Sequence, residues 1–312
     1  MEISAKKRWH RILVCLAAAV WSAVILCGIP GTTTTAWAAG TGKLKIKVAQ
    51  DNGRAQEILK YVNKYRKQHH LSALKLDTEL TEAAVTRGAE LNIMVPYTSP
   101  HRRPDGRYAH TVNKRINYED CLETTYGSIS AKEIVDEWMD SPSHKKGILL
   151  PGARSIGIGA VYMQDSLFNG KLYPWYSYQQ SYTLEISRTS VKKKLKSSSV
   201  KKYTKSISTK KSDLKKKYFS CTTKNVTLYT GNPSWDHSLE LWVNYSGPHT
   251  WSDAHIDNSS FTWKSSKPSV ASVNKHGLIK AVKPGTAAIT FRLKSDPKVK
   301  LTVKVSVQKA GE

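Results

Sequence analysis

Thirty residues in the middle of the chain carry more charge than a packed core tolerates. From Arg188 to Lys217 the sequence reads RTSVKKKLKSSSVKKYTKSISTKKSDLKKK, with 13 basic residues and one acid, Asp213. Serine and threonine separate short lysine runs, and the few apolar residues keep no sustained period. Such a stretch reads as a flexible, extended linker. It divides the 312-residue chain into two segments, each long enough for a core of its own. The whole chain holds 49 basic and 24 acidic residues, a formal net charge of +25, and the linker supplies +12 of it. An imbalance of this size speaks to partners rather than to fold. Lysine is a point charge without geometric demands, so the linker is either a solvated spacer or an attachment to an anionic cell-wall or surface polymer. Nucleic acid is not the expected partner, because no zinc finger, RNA-binding aromatic motif or reading helix accompanies the charge.

The first 38 residues are not expected in the mature protein. Lys6, Lys7, Arg8 and Arg11 precede an apolar run from Ile12 to Ile29, and Ala36-Trp37-Ala38 supplies small residues at a cleavage point. That is the layout of a secretory signal peptide cut after Ala38, and no later segment is apolar enough to cross a membrane. The product is therefore expected outside the cell, secreted or loosely associated with the wall. It keeps 274 residues and a charge of +22, since four basic residues and one acid leave. Of the cysteines only Cys121 and Cys221 remain. They either pair, which export permits, or stay as thiols.

Helical patterning dominates the first segment, after a short basic lead-in at 41 to 50. Ile58, Leu59, Val62 and Tyr65 form one stripe, with Asn63 and Arg66 on the same helix. Asp77 is placed to cap a second helix carrying Leu80, Ala83, Ala84, Ala89 and Leu91. Gly88 lies inside that helix at a cost of about 1 kcal/mol against alanine, which close packing would explain. Pro104-Asp105-Gly106 marks a turn, with His101 just before it. A third helix is expected from Ser130 to Met139, where Ser130 and Glu133 have capping-box spacing. Ile134, Val135, Trp138 and Met139 share one side of it and Glu133 lies nearly opposite. His144 follows in DSPSHKKGILLPG. SIGIGAVYM and KLYPWYSYQQSYTLEI read as strands.

Four pieces, VNKYR at 62–66, HRRPDG at 101–106, SAKEIVDEWMDSPSHKKGIL at 130–149 and SIGIGAVY at 155–162, give the region 51–187 a resemblance to the CAP family. This family comprises the cysteine-rich secretory proteins, antigen 5 and the pathogenesis-related proteins, and the likeness is to its cysteine-poor bacterial branch. The resemblance implies an α/β fold, a three-layer alpha-beta-alpha sandwich around a cleft that gathers two histidines and two acids. His101, His144 and Glu133 match three of these. The fourth falls in NYEDCLETTYG, where the usual Gly-Glu-Asn motif is missing; Glu119 is the candidate, with Asp120 and Glu123 as alternatives. Two imidazoles, His101 and His144, are metal-ligand types, so a weakly held divalent ion such as zinc is one expectation. A hydrogen-bonded histidine network is the other.

After the linker the period changes to two. Val226 and Leu228, then Leu239, Leu241 and Val243, then Leu301, Val303, Val305 and Val307 alternate, with turns at Lys267-Pro268, His276-Gly277 and Pro284-Gly285. Region 218–309 resembles the bacterial immunoglobulin-like group 2 domain, carried by WKSSKPSVASV and GLIKAVKPGTAAI, which implies an all-beta sandwich with Trp263 in its core. The loop carrying His249, Trp251 and His255 is a weaker candidate for glycan contact. Two functions compete. One is an exported CAP protein binding a small lipid, peptide or envelope or host ligand at His101, Glu119, Glu133 and His144, with the beta module as spacer or adhesion unit. The other is a metal-dependent extracellular hydrolase using His101 and His144, with Glu133 and Glu119 as its catalytic acids.

Overall fold

A computed structural model describes residues 40–93, 101–124, 129–163, 167–168, 171–172, 180–231, 236–248 and 254–310. The expected signal peptide, and the loop residues His249 and Trp251, lie outside them. Among the described residues no helix is long and apolar enough to cross a membrane.

Lys43, Lys45 and Lys47 alternate with Leu44, Ile46 and Val48, and this alternation makes the first strand, β1 (Thr41–Asp51). The three apolar residues are fully buried. Asp51 caps helix α1 (Asn52–Gln68) by accepting from the Arg54 amide. The two-residue β2 (Lys75–Leu76) leads to α2 (Thr78–Leu91), capped by Asp77 through the Leu80 amide as its position suggested. Strand β3 (Tyr118–Thr124) precedes α3 (Ala131–Asp140) and α4 (Pro142–Ile148). β4 (Ser155–Met163), the two-residue β5 (Leu167–Phe168) and β6 (Lys171–Leu172), and β7 (Gln180–Ser187) complete the region read as helices and sheet.

The layers follow from which face of β4 each residue occupies. Ile156, Ile158, Ala160 and Tyr162 share a core with Ile58 and Val62 of α1 and with Ile134, Val135 and Trp138 of α3. The opposite face carries Gly157 and Gly159, and α2 lies on them. A β-carbon on Gly157 would stand 2.1 Å from the Leu80 carbonyl carbon, and one on Gly159 2.9 Å from the Ala84 oxygen. Gly88 of α2 meets the strand from the other side, its β-carbon position 2.5 Å from a Val161 methyl. Helix and strand backbones therefore approach closely at all three glycines. The result is an α/β region of three layers, with α1, α3 and α4 on one face of the sheet and α2 on the other.

The lysine-rich stretch corrects the expectation of a flexible linker. Thr78 donates to the Lys193 carbonyl, and Lys192 to Asp77. Gln56 holds the carbonyls of Lys196 and Ser197, and Asn52 that of Ser199. Residues 200–210 then form β8 (Val200–Lys210), antiparallel to β1 along its full eleven residues, from Thr41↔Lys210 to Asp51↔Val200. Ile207 is fully buried and Tyr203 partly so. Lysines interrupt the apolar alternation of this strand, and its partner lies far earlier in the chain, at Thr41–Asp51, so the local pattern does not reveal it. The basic lead-in and the apparent linker are two strands of one ribbon.

The sheet also crosses the boundary expected at residue 218. β9 (Phe219–Cys221), β12 (Val243–Tyr245) and β13 (Ala254–Ile256) extend it in the order β3-β7-β4-β1-β13-β12-β9, with Ile46 opposite Ile256. Beyond it lies a beta-rich immunoglobulin-like region of two further sheets. One runs β10 (Asn225–Thr230), β18 (Asp296–Lys309), β17 (Gly285–Leu293), β14 (Phe261–Ser265); the other runs β11 (Ser238–Glu240), β16 (Leu278–Ala281), β15 (Ala271–Val273). Phe291, Ile289 and Val303 of the first sheet and Ile279 of the second bury in one cluster with Leu44 and Ile46 of β1. Trp263 stacks on Phe291, ring centroids 4.4 Å apart, and its indole donates to the Asn258 carbonyl at 3.0 Å. Cys221 is a free thiol, so the pairing with Cys121 is not made.

Candidate functional site

The segment 101–118 runs across the end of α2, and charge holds it there. Glu90, fully buried on α2, pairs with Arg87 of its own helix and receives Arg103 through two donors, at 2.9 and 2.6 Å. Asp105 accepts from the Arg107 amide and guanidinium and closes the turn, where Gly106 takes φ 91°. Arg102 lies over the Tyr108 ring, 3.8 Å from its centroid. Further along, Arg115 fastens the segment to the base of the same helix. It donates to both oxygens of Asp77 and to Glu79. Burial would raise the Asp77 pKa, but the hydrogen bonds from Arg115 and from two backbone amides outweigh it and hold the carboxyl below its ordinary range.

This segment lines a cavity of about 460 Å³ through His101, Tyr108, His110, Ile116 and Tyr118 among others. Tyr118 joins the segment to α4. Its ring covers Gly147 of α4, where a β-carbon would stand 1.8 Å from a ring carbon, and its hydroxyl donates to the Ser143 carbonyl at 2.7 Å. Tyr108 stacks on His110, centroids 5.7 Å apart, and is 55% exposed. His144 sits half-buried on α4, between Ser143 and Gly147.

The structure places His101 near enough to His144 for its charge to act on that imidazole. Burial first, and the His101 charge second, push the His144 pKa from 6.5 down to about 4. An imidazole so placed stays neutral at physiological pH and works as a hydrogen-bonding group rather than a cation. The sign of the linkage follows. The unfolded chain takes up this proton near pH 6.5 and the folded chain only near 4, so stability falls as pH drops through that window. NMR titration should find the His144 midpoint near 4, and His101→Gln should raise it. A midpoint near 6.5 in the unaltered protein would refute this account of the pair.

The acids are placed differently. Glu133 is exposed at the start of α3, where its carboxylate accepts from the Ser130 amide and its own amide donates to the Ser130 hydroxyl. It closes the capping box that its spacing suggested, and it is not among the cavity's described lining residues. The backbone of Glu119 sits in β3 opposite Glu185, with Asp120 opposite Leu184 and Glu123 opposite Ser181; their side chains lie outside the described residues.

The expectation of zinc at His101 and His144 is corrected. Among the described residues no group of three or more His, Cys, Asp or Glu side chains gathers as a metal site requires. Two imidazoles supply two ligands, and a protein zinc site needs at least one more. Glu133, whose Oε2 accepts from the Ser130 amide, belongs to no such group among the described residues.

Sequence reasoning missed Tyr108, His110 and Tyr118 on the cavity, and Glu90 and Arg103 behind it. A helix-buried glutamate looks like any surface glutamate until its partners are known. Gly147 was the one local signal, since a glycine inside a short helix implies something packed against it.

Two family models match the chain. Residues 59–181 match the model of the cysteine-rich secretory protein family, CAP, and residues 249–303 that of the group 2 bacterial Ig-like domain. No curated protein matches the chain. Similar solved structures include an outer surface protein from Borrelia burgdorferi, at 16% identity and TM-score 0.30, covering 46% of this chain and 93% of that one. Another is an extracellular protein containing a SCP domain from Bacillus anthracis, at 16% identity and TM-score 0.32, covering 45% of this chain and 41% of its own. A cysteine-rich secretory protein from Staphylococcus aureus has 13% identity and TM-score 0.28, covering 44% of this chain and 38% of its own. The chain thus spans about two fifths of the length of the last two.

Proposed function

We propose, for a chain that carries a CAP domain followed by a group 2 bacterial Ig-like domain, that it is an exported bacterial ligand-binding protein. Its CAP cleft takes a small lipid or peptide, and its Ig-like region acts as spacer or adhesion unit. The observation that carries the reading is the cavity of about 460 Å³ beside the His101–His144 pair. Exposed Tyr108 and half-buried Tyr118 offer it apolar faces with polar tips, the combination that binding clefts use. The neutral His144 adds a hydrogen-bonding group at the same place. The basic start and apolar run of residues 1–38 support export. Exposed lysines on either side of β8 support attachment to an anionic wall or surface polymer.

Glu119 remains a candidate wall of this cleft, and Glu133 a candidate at its edge through the helix it caps. No observation favours the hydrolase reading, because the metal it required has no third ligand among the described residues.

The test is equilibrium binding of a fluorescent sterol, palmitate and a mixed peptide pool to the full chain, with Tyr108→Ala and His101→Ala alongside. Saturable binding of one ligand class, weakened about tenfold or more by either variant, is expected. Absence of saturable binding, or binding indifferent to both variants, overturns the cleft assignment. Tyr108 is exposed, so its variant should keep the parent's melting temperature.

A further inference from the structure

Strand register decides which side chains share the outer face of the four-stranded sheet in the Ig-like region. Lys264 stands opposite Thr290, and Thr290 opposite Thr302. Thr262 stands opposite Arg292, and Arg292 opposite Lys300. Lys304 follows four residues along β18, with Asn225 of β10 beside it. The inward set, Phe261, Phe291, Val303 and their neighbours, is buried. The outward set is therefore four cations, Lys264, Arg292, Lys300 and Lys304, separated by the hydroxyls of Thr262, Thr290 and Thr302. All four cations are exposed. Among the described residues none forms an ion pair, and no carboxylate lies in these register positions.

Two features set this face apart from an ordinary solvated one. Arg292 and Lys300 are directly opposite across antiparallel strands, with β-carbons about 5 Å apart, an arrangement that destabilises a sheet when nothing neutralises it. A shallow groove of about 710 Å³ runs over the same place, lined by Lys264, Arg292, Lys300, Thr262, Thr290 and Ser266 among others. The charged and hydroxyl groups here are donors without a single carboxylate acceptor. Lysine offers three N–H and arginine five, one of Arg292's going to the Pro297 carbonyl; the Thr262 hydroxyl donates to the Arg292 carbonyl and those of Thr290 and Thr302 bond one another, so the cations are the donors left for a ligand. Their complement is a group of negative charge with several acceptor oxygens, repeated along a chain. Lys300 and Lys304 are about 13 Å apart along the strand, so one extended polymer reaches all four cations at once.

We infer that the outer face of the β14-β17-β18 sheet binds a linear phosphodiester polymer, whose phosphates lie along Lys264, Arg292, Lys300 and Lys304. The site is separate from the CAP cleft and uses none of the lysines of β8. It stands or falls independently of both.

The probe is poly(glycerol phosphate), titrated against the full chain over a range of salt. Three variants of equal charge loss are compared. One replaces Lys264, Arg292, Lys300 and Lys304 by Gln. The second replaces Lys201, Lys202, Lys210 and Lys211 by Gln. The third replaces the exposed Lys60, Lys64, Lys67 and Lys275 by Gln. The face variant should bind at least tenfold more weakly near 0.1 M salt, an order-of-magnitude figure for four lost phosphate contacts. The slope of log affinity against log salt should become shallower by about three. The third variant should stay within about threefold of the parent. The thermal melt of the face variant should not fall below the parent's, because relieving the Arg292–Lys300 repulsion does not destabilise. Equal weakening in the third variant would reduce the effect to net charge and overturn the proposal. So would weakening confined to the β8 variant. Tighter binding of poly-L-glutamate or dextran sulfate than of poly(glycerol phosphate) at matched charge would overturn the assignment to phosphate.

Discussion

Replacing Glu90 by alanine should lower the stability of the fold by about 3–5 kcal/mol. The Glu90 side chain has no solvent exposure, nor has Arg87, and Arg103 keeps 10%. In the intact protein one carboxylate serves two guanidinium groups. Its removal takes from both buried cations the counter-charge that Glu90 supplies, and arginine does not escape by losing a proton. The penalty for stranding such charges exceeds what the pairs themselves contribute, so the loss should far exceed that of an exposed ion pair such as Arg54–Glu57. Urea unfolding followed by tryptophan fluorescence gives the number. A loss under about 1 kcal/mol would mean that water reaches the triad. A second readout separates stability from positioning. Arg103 is the clamp that holds the 101–108 segment against α2, so at pH values where the variant still folds, the His144 midpoint should move back towards 6.5 as His101 drifts away.

Gly157→Val should be at least as damaging, by about 3 kcal/mol or more. Overpacking a core typically costs 1–3 kcal/mol when side chains can give way. Here the obstacle is backbone: the new β-carbon would meet the Leu80 carbonyl carbon at 2.1 Å and its oxygen at 2.2 Å. To make room, α2 would have to lift off the sheet, pulling Asp77 from Arg115 and Glu90 from Arg103 at its two ends. Gly147→Ala is the instructive contrast. Its clash is with the Tyr118 ring, which can swing aside, so that variant should fold and lose the cleft wall instead. Comparable denaturation midpoints for the two variants would show that helix–strand contact is looser than the glycines imply.

Local chemistry was what the sequence displayed best. The cap at Asp77, the capping box of Ser130 and Glu133, the strand at SIGIGAVYM and the close packing around Gly88 each depend on residues within a few positions, or on a missing side chain. The capping box is a local feature of the same kind, since Ser130 and Glu133 lie three residues apart. The structure places the carboxylate in the cap. Nonlocal pairing was hidden. Nothing near residue 200 announces that Val200–Lys210 will lie along Thr41–Asp51, since lysines break the alternation that would mark a strand. His101 and His144 were visible as residue types, but their nearness depends on Glu90, Arg103 and Tyr118, which look unremarkable alone. The metal expectation failed for the same reason: ligand types can be counted in a sequence, whereas their convergence depends on the fold.

The position of β1 bears on the order of events as the chain folds. This strand precedes all of its partners in the chain, β4, β8 and β13, the last ending at Ile256. Closing a sheet whose neighbours are so far apart in sequence is slow, because a long loop must be ordered before any pairing compensates for it. The α/β region therefore cannot finish its sheet when residue 187 emerges. It waits for β8, and for the β13 edge it waits until the Ig-like strands have begun to form. Until residue 256 is available, the strand at the centre of the sheet has one of its edges incompletely paired and stays uncommitted.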